Sequence, residues 1–165
     1  MGRSEMNPTN FKKISVFSVA IFLFLTLIGD CSSVFASAKI ATVQKVSGTA
    51  MVFRQGQTLT ATVGLEILEN DSLRTGPNGS MGVVFIDDTL LSLGPGSVLV
   101  IEKFLFAPRQ GKFSFVLRMI KGTAAYLSGL ISRLAPEAAY FETPTASIGI
   151  RGTKFVVKIE GEPKR

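Results

Sequence analysis

The sequence predicts an all-β single domain of antiparallel strands, a sandwich or a solenoid-like stack, and three observations carry that expectation. Between Lys39 and Pro163, short apolar stretches are cut at regular intervals by turn signals. These are Gln55-Gly56, Gly76-Pro77-Asn78-Gly79, Asp87-Asp88, Gly94-Pro95-Gly96, Pro108–Gly111 and Ala135-Pro136. Next, "KFSFVLRMI" alternates cleanly. Phe113, Phe115, Leu117 and Met119 fall on one face, and Ser114, Val116 and Arg118 on the other. Finally, the tetrad aliphatic-x-Gly-Thr recurs three times, at Val46–Thr49, Ile120–Thr123 and Ile150–Thr153. Composition alone predicts roughly 0.2 such tetrads.

The first 38 residues are read as a cleaved secretory signal peptide. Arg3, Lys12 and Lys13 form a basic start, Ile14–Ile28 is uncharged, and Ala36-Ser37-Ala38 is a small-x-small cleavage site. As a helix the apolar run spans about 22 Å, short of a hydrocarbon core of about 30 Å. Cys31 follows Asp30 rather than a small residue, which argues against lipidation. Cleavage after Ala38 removes the one cysteine, so neither disulfide nor thiol chemistry is expected and stability must come from core burial. The domain is then 39–160, with a short tail at 161–165, and its location is periplasmic or secreted.

Along the domain, "SVLVI" at 97–101 is apolar on both faces and is expected to lie inside. Leu130–Leu134 with Ala138–Phe141 is the one place where a helical turn fits. Each Gly-Thr tetrad leads into more strand-like sequence, so it reads as a corner, a β-bulge or bend at which glycine takes a conformation other residues resist. Parity supports a break in the third copy. Ile148 and Ile150 are even, whereas Phe155, Val157 and Ile159 are odd, and a regular strand cannot turn both sets to one face. Arg151 sits at that kink. Its five donors suit a clamp on freed carbonyls and a carboxylate, with Asp71 the preferred acid; recognition of an anionic ligand is the alternative.

Little chemistry is on offer. The formal net charge is +6, but the basic residues are scattered singly, which argues against nucleic acid. No histidine occurs, so the commonest general base and metal ligand are missing. Asp87-Asp88 reads as a hairpin turn rather than a catalytic dyad. A hard-cation site from Glu69, Asp71, Asp87 and Asp88 is conceivable, but no known ligand spacing is present. Asp71 has two simpler uses, capping a turn or pairing with an arginine such as Arg151. With no Trp and two Tyr, aromatic platforms for carbohydrate are scarce. "FLFAP" at 104–108 reads as core edge before docking patch. Neither an enzyme nor a cofactor or metal is expected.

The ordered landmarks of residues 42–159 resemble the FecR-domain family of bacterial envelope domains. They include Gly64, Ile67, Leu68, Asp71, Leu73 and Thr75 in "GLEILENDSLRTG", and Pro95 with Ser97 in a turn. The closing signature comprises Thr143, Pro144, Ala146, Gly149, Ile150, Arg151, Gly152, Thr153, Phe155 and Val157. The resemblance implies the fold and an envelope location. The family's sensor-regulators carry a cytoplasmic anti-sigma segment before a membrane helix; here only Met1–Lys13 precedes the apolar run. The expected role is therefore a non-catalytic protein-interaction module with an unidentified envelope partner. The competing role is an envelope sensor or regulator working through a separate chain. The structural signature comprises Asp71, Thr75, Thr143, Pro144, Arg151, Gly152, Thr153 and Phe155.

Overall fold

A computed structural model of the chain describes residues 38–152 and 154–160. The expected leader up to Ser37, with Cys31, lies outside the described residues, as do Thr153 and the tail at 161–165. Strands form where apolar alternation was read, and turns form where Gly, Pro and Asp interrupt it. In chain order the strands are β1 (Ala41–Ser47), β2 (Ala50–Arg54), β3 (Gln57–Thr60), β4 (Glu66–Ile67), β5 (Ser72–Thr75) and β6 (Ser80–Phe85). Then come β7 (Leu90–Leu93), β8 (Val98–Ala107), β9 (Lys112–Leu127), β10 (Ala139–Glu142), β11 (Ser147–Gly149) and β12 (Lys154–Ile159). A four-residue helix, α1 (Ile131–Leu134), and a 3-10 turn at Pro136–Ala138 fill the segment read as a helical turn.

The strands make one curled, half-barrel sheet with two limbs. Limb A has the order β4-β1-β6-β7-β9-β12, and limb B the order β3-β2-β5-β8-β9-β10-β11. The 16-residue β9 belongs to both. Its first part pairs with β8 and its last four residues with β7. Every pairing is antiparallel except β10 on β9. The domain is all-β, as expected.

The core lies on the concave side. Leu73, Leu99, Ile101, Leu117, Met119 and Phe141 have no exposed surface. Phe85, Phe104 and Phe115 pack with ring centroids 4.8–5.5 Å apart, and full burial of each large apolar side chain contributes about 1.5–3 kcal/mol. Phe104 is thus core, and Phe106 meets Phe113 at its margin. The β9 alternation is as read: Phe115, Leu117 and Met119 point in, and Arg118 points out. The expectation for residues 97–101 needs correction. β8 is central in limb B, yet whereas Ser97, Leu99 and Ile101 are fully buried, Val98 and Val100 stay partly exposed on the convex face. A curled single sheet covers one face of its strands, so a two-sided apolar run need not be buried twice.

Each Gly-Thr tetrad marks a passage between the limbs. The chain moves from A to B at Gly48-Thr49, from B to A within β9 at Gly122, and from B to A after β11 at Gly152. All three glycines have left-handed φ, of 61°, 95° and 55°. At Gly122 a Cβ would also collide with the backbone of Ser97. The first and third corners are breaks between strands, whereas the second is the bulge expected of it: Val98 pairs with Lys121 but Leu99 pairs with Met119, so Ile120, the first residue of that tetrad, has no opposite number. In the third copy the inserted-bulge reading is replaced by a full break. β11 ends at Gly149, Ile150 turns inward, and β12 starts afresh with Phe155 inward.

Candidate functional site

The signature residues mostly hold the fold. Thr75 ends β5, and its Oγ1 donates to the Gly94 carbonyl at 2.6 Å while accepting the Ser97 N–H at 2.9 Å. The Ser97 hydroxyl in turn bridges to Thr123, donating to its carbonyl and accepting its N–H, both at 3.0 Å. Backbone bonds from Gly76 to Thr49, from Gly96 to Gly76 and from Gly94 to Thr123 complete a seam of corners. Ser97, read from the sequence only as a turn residue beside Pro95, is as central here as Thr75, and the tertiary contact between two Gly-Pro turns gives it that role.

Asp71 is buried, 1% exposed, and it belongs to Arg54. Arg54 donates through Nε to Oδ1 at 2.9 Å and through its terminal nitrogen to Oδ2 at 2.7 Å. That two-pronged geometry is the strong form of the pair. Arg54 also reaches the Glu66 carbonyl, and Asp71 accepts the Leu68 N–H at 2.8 Å, the turn cap anticipated for it. The hydrogen bonds to Asp71 raise the Arg54 pKa above its ordinary value.

The Arg151 clamp is corrected accordingly. Arg151 is exposed rather than buried. It follows β11, which stands at the far end of limb B, separated from β5 by β10, β9 and β8. Arg54 ends the inward-facing register of β2, whose neighbour is β5, so strand order delivers Arg54 to Asp71. Gly152 is exposed beside Arg151. Thr143 and Pro144 form the tight turn joining β10 to β11, where the Thr143 hydroxyl donates to the Ala146 carbonyl and accepts its N–H. Phe155 stacks on Tyr126 at 5.1 Å and meets Phe141 edge-on at 5.5 Å.

The two aspartates of the β6–β7 hairpin part company: Asp87 is buried and Asp88 is exposed. The Asp87 carboxylate accepts the Thr89 N–H and hydroxyl and the Ile131 N–H, pinning α1 onto the hairpin. Tyr126 is buried nearby. Its hydroxyl lies near Thr89 and Ser132 yet meets no hydrogen-bond partner among the described residues. Burial pushes its pKa up to about 12. Among the described residues no group of three or more acids gathers as a metal site needs. With Arg54 on Asp71 and backbone donors on Asp87, these groups are occupied by the fold.

The convex faces of the limbs differ. On limb B, Arg118 bridges Glu102 at 2.9 Å and Glu142 at 3.0 Å, and Arg74 lies 3.9 Å over the Phe53 ring. On limb A two cross-strand rows run over β1, β6, β7, β9 and β12. One is Thr42, Val84, Leu90, Leu127 and Lys154; the other is Lys45, Gly82, Ser92, Ala125 and Val156. These ten residues include no acid; the first row meets one only at the edge of the limb, where Thr42 pairs with the exposed Glu66 of β4. The small Gly82, Ser92 and Ala125 make a floor, over which Leu90, Leu127 and Val156 stand exposed. Shallow grooves of about 400 Å³ and about 290 Å³ adjoin there, sharing Leu90 and Ser92. The sequence hid this face, because in "LLSL" and "AAYL" each register carries a large apolar residue and alternation barely tells in from out.

Neither a curated protein nor a solved structure matches the chain. A family model described as FecR protein matches residues 71–165, more than half of the chain. The match opens at Asp71, runs through the seam and β9, and takes in the Thr143–Val157 signature. Membership suggests a signal-transduction or sensor-related role in the envelope. The match and the all-β fold agree with the landmarks read from the sequence: this chain belongs to the FecR family.

Proposed function

We propose that the protein is exported across the inner membrane and acts there as a non-catalytic interaction module, binding an envelope protein through the convex face of limb A. The observation that carries this reading is the pair of rows, acid-free from β1 to β12, with exposed Leu90, Leu127 and Val156 around a small-residue floor. Single exposed apolar residues are ordinary, but neighbours forming one patch mark an interaction surface. The buried carboxylates are engaged by the fold, which leaves them no nucleophile or acid–base partner to serve. Family membership favours a signalling use of the same face, in which partner binding is the regulated step.

Site-specific photo-crosslinking in expressing cells tests the reading. A crosslinking side chain at Leu127 is expected to give a discrete protein adduct in the envelope fraction. The same group at Ile120, exposed on limb B, is expected to give none. Equal adducts from both faces, or none from Leu127, would refute it. Loss of the first 38 residues, read by intact mass, tests export separately.

A further inference from the structure

The edge of limb A gives the partner a chemistry. Among the described residues β12 is hydrogen-bonded to β9 alone, through all six residues from Lys154–Leu127 to Ile159–Gly122. A strand directs backbone groups to both sides, so the other edge of β12 presents N–H and C=O groups to an incoming strand. Its side chains alternate: Phe155, Val157 and Ile159 are half-buried against the core, whereas Lys154, Val156 and Lys158 face outward and are exposed. The inward set is only half covered, as befits a layer that one more strand would complete. The outward set reads cation, apolar, cation. Lys158 touches Glu160 at 3.1 Å, but both side chains are highly exposed, and such a contact yields readily to a competitor.

A second copy suits this edge less well than an acidic strand does. Antiparallel pairing of β12 with itself about Val156 sets Lys154 against Lys158 twice, and like charges directly opposite are destabilising; pairing about Val157 gives Lys158 only Val156 opposite it. A complementary strand carries acids at the two outward positions four residues apart, with apolar residues on the alternate positions that turn inward. Building on the limb A face as the interaction surface, we infer that β12 is the receiving edge for an extended acidic–apolar segment of a separate envelope protein, added antiparallel as a new strand of limb A. Main-chain bonds then supply affinity and the lysines supply selection.

The probe is the peptide Gly-Val-Glu-Ile-Thr-Val-Glu-Ile-Gly, with a control in which both Glu are Lys. Each is titrated against the full chain recovered from expressing cells, with backbone amide exchange of β12 read alongside. The acidic peptide is expected to bind at least tenfold tighter than the control and to slow exchange in residues 154–159. The double variant Lys154→Glu/Lys158→Glu is expected to reverse that order. Equal binding of the two peptides, no binding by either, or an unreversed preference in the charge-swapped variant would overturn strand addition. If the Leu127 crosslink persists while the peptides fail, the interaction face stands and only its strand-addition mode falls. Loss of both removes the face as well.

Discussion

The two convex faces of this sheet use charge in opposite ways. On limb B the arginines find partners within the limb itself: Arg118 holds Glu102 and Glu142, and Arg74 covers Phe53. On the inward side of β2, one strand from the β3 edge of the same limb, Arg54 holds Asp71. On limb A, Lys45 and Lys154 rim an apolar floor whose rows are free of acids from β1 to β12, with Glu66 only at the β4 edge, and Leu90 and Val156 remain in water. The difference separates two tasks. Polar groups that are satisfied inside the domain secure it, and their removal should register as lost stability. Groups left without a complement on limb A should cost the isolated domain almost nothing.

The largest effect expected is at Arg54. Arg54→Ala leaves the buried Asp71 carboxylate without its cation and should destabilise by about 3–5 kcal/mol. Arg151→Ala, on an exposed side chain, should stay within about 0.5 kcal/mol. Urea melts of the two purified variants measure the contrast, and an equal loss for both would break it. Next comes the seam shared by the limbs. Gly122→Ala forces a side chain into left-handed backbone at a point where a Cβ meets Ser97. Strain and overpacking of about 1–3 kcal/mol each should together lower the melting temperature clearly.

A smaller, pH-dependent effect belongs to Tyr126, beneath limb A. Its pKa is raised from 10.0 to about 12 by burial, so above pH 10 the unfolded chain loses this proton while the native state keeps it. The contribution is fully present below pH 10 and falls away at about 1.4 kcal/mol per pH unit until about pH 12. Tyr126→Phe should flatten that part of the alkaline limb. At pH 7 it should cost little, because the hydroxyl it removes has no partner. Smallest of all are the surface charges. Arg118→Ala should cost at most about 1 kcal/mol, since the side chain is half-exposed. Lys154→Ala should stay within about 0.5 kcal/mol. A larger loss at Lys154 than at Arg118 would reverse the contrast between the faces.

Much of the architecture was legible before any coordinates. The turn dipeptides placed the strand ends, the alternation in "KFSFVLRMI" oriented β9, and the three Gly-Thr tetrads located passages between the limbs. The parity break between Ile150 and Phe155 was real, although Ile148, read on the same inward face as Ile150, stays exposed. Local signals of this kind survive because a left-handed glycine or a period of two is dictated within a few residues of chain. Partner choice is not local. Nothing in "TPTASIGIRGTKFVV" distinguishes Arg151 from Arg54 as the mate of Asp71.

By itself, then, the sequence determined which segments extend, where they turn and which side of β9 is greasy, because steric and hydrophobic periodicity act along the chain. Strand order was decided only in three dimensions, by which edges could pair while a single curled sheet closed over one core. That order brought β2 beside β5 and so gave Asp71 to Arg54, left Arg151 in water, and gathered Leu90, Leu127 and Val156 from three strands onto one open face. Apolar runs such as "LLSL" carry no mark of which side will be covered. Coverage depends on whether a second layer exists above them, and limb A has none among the described residues.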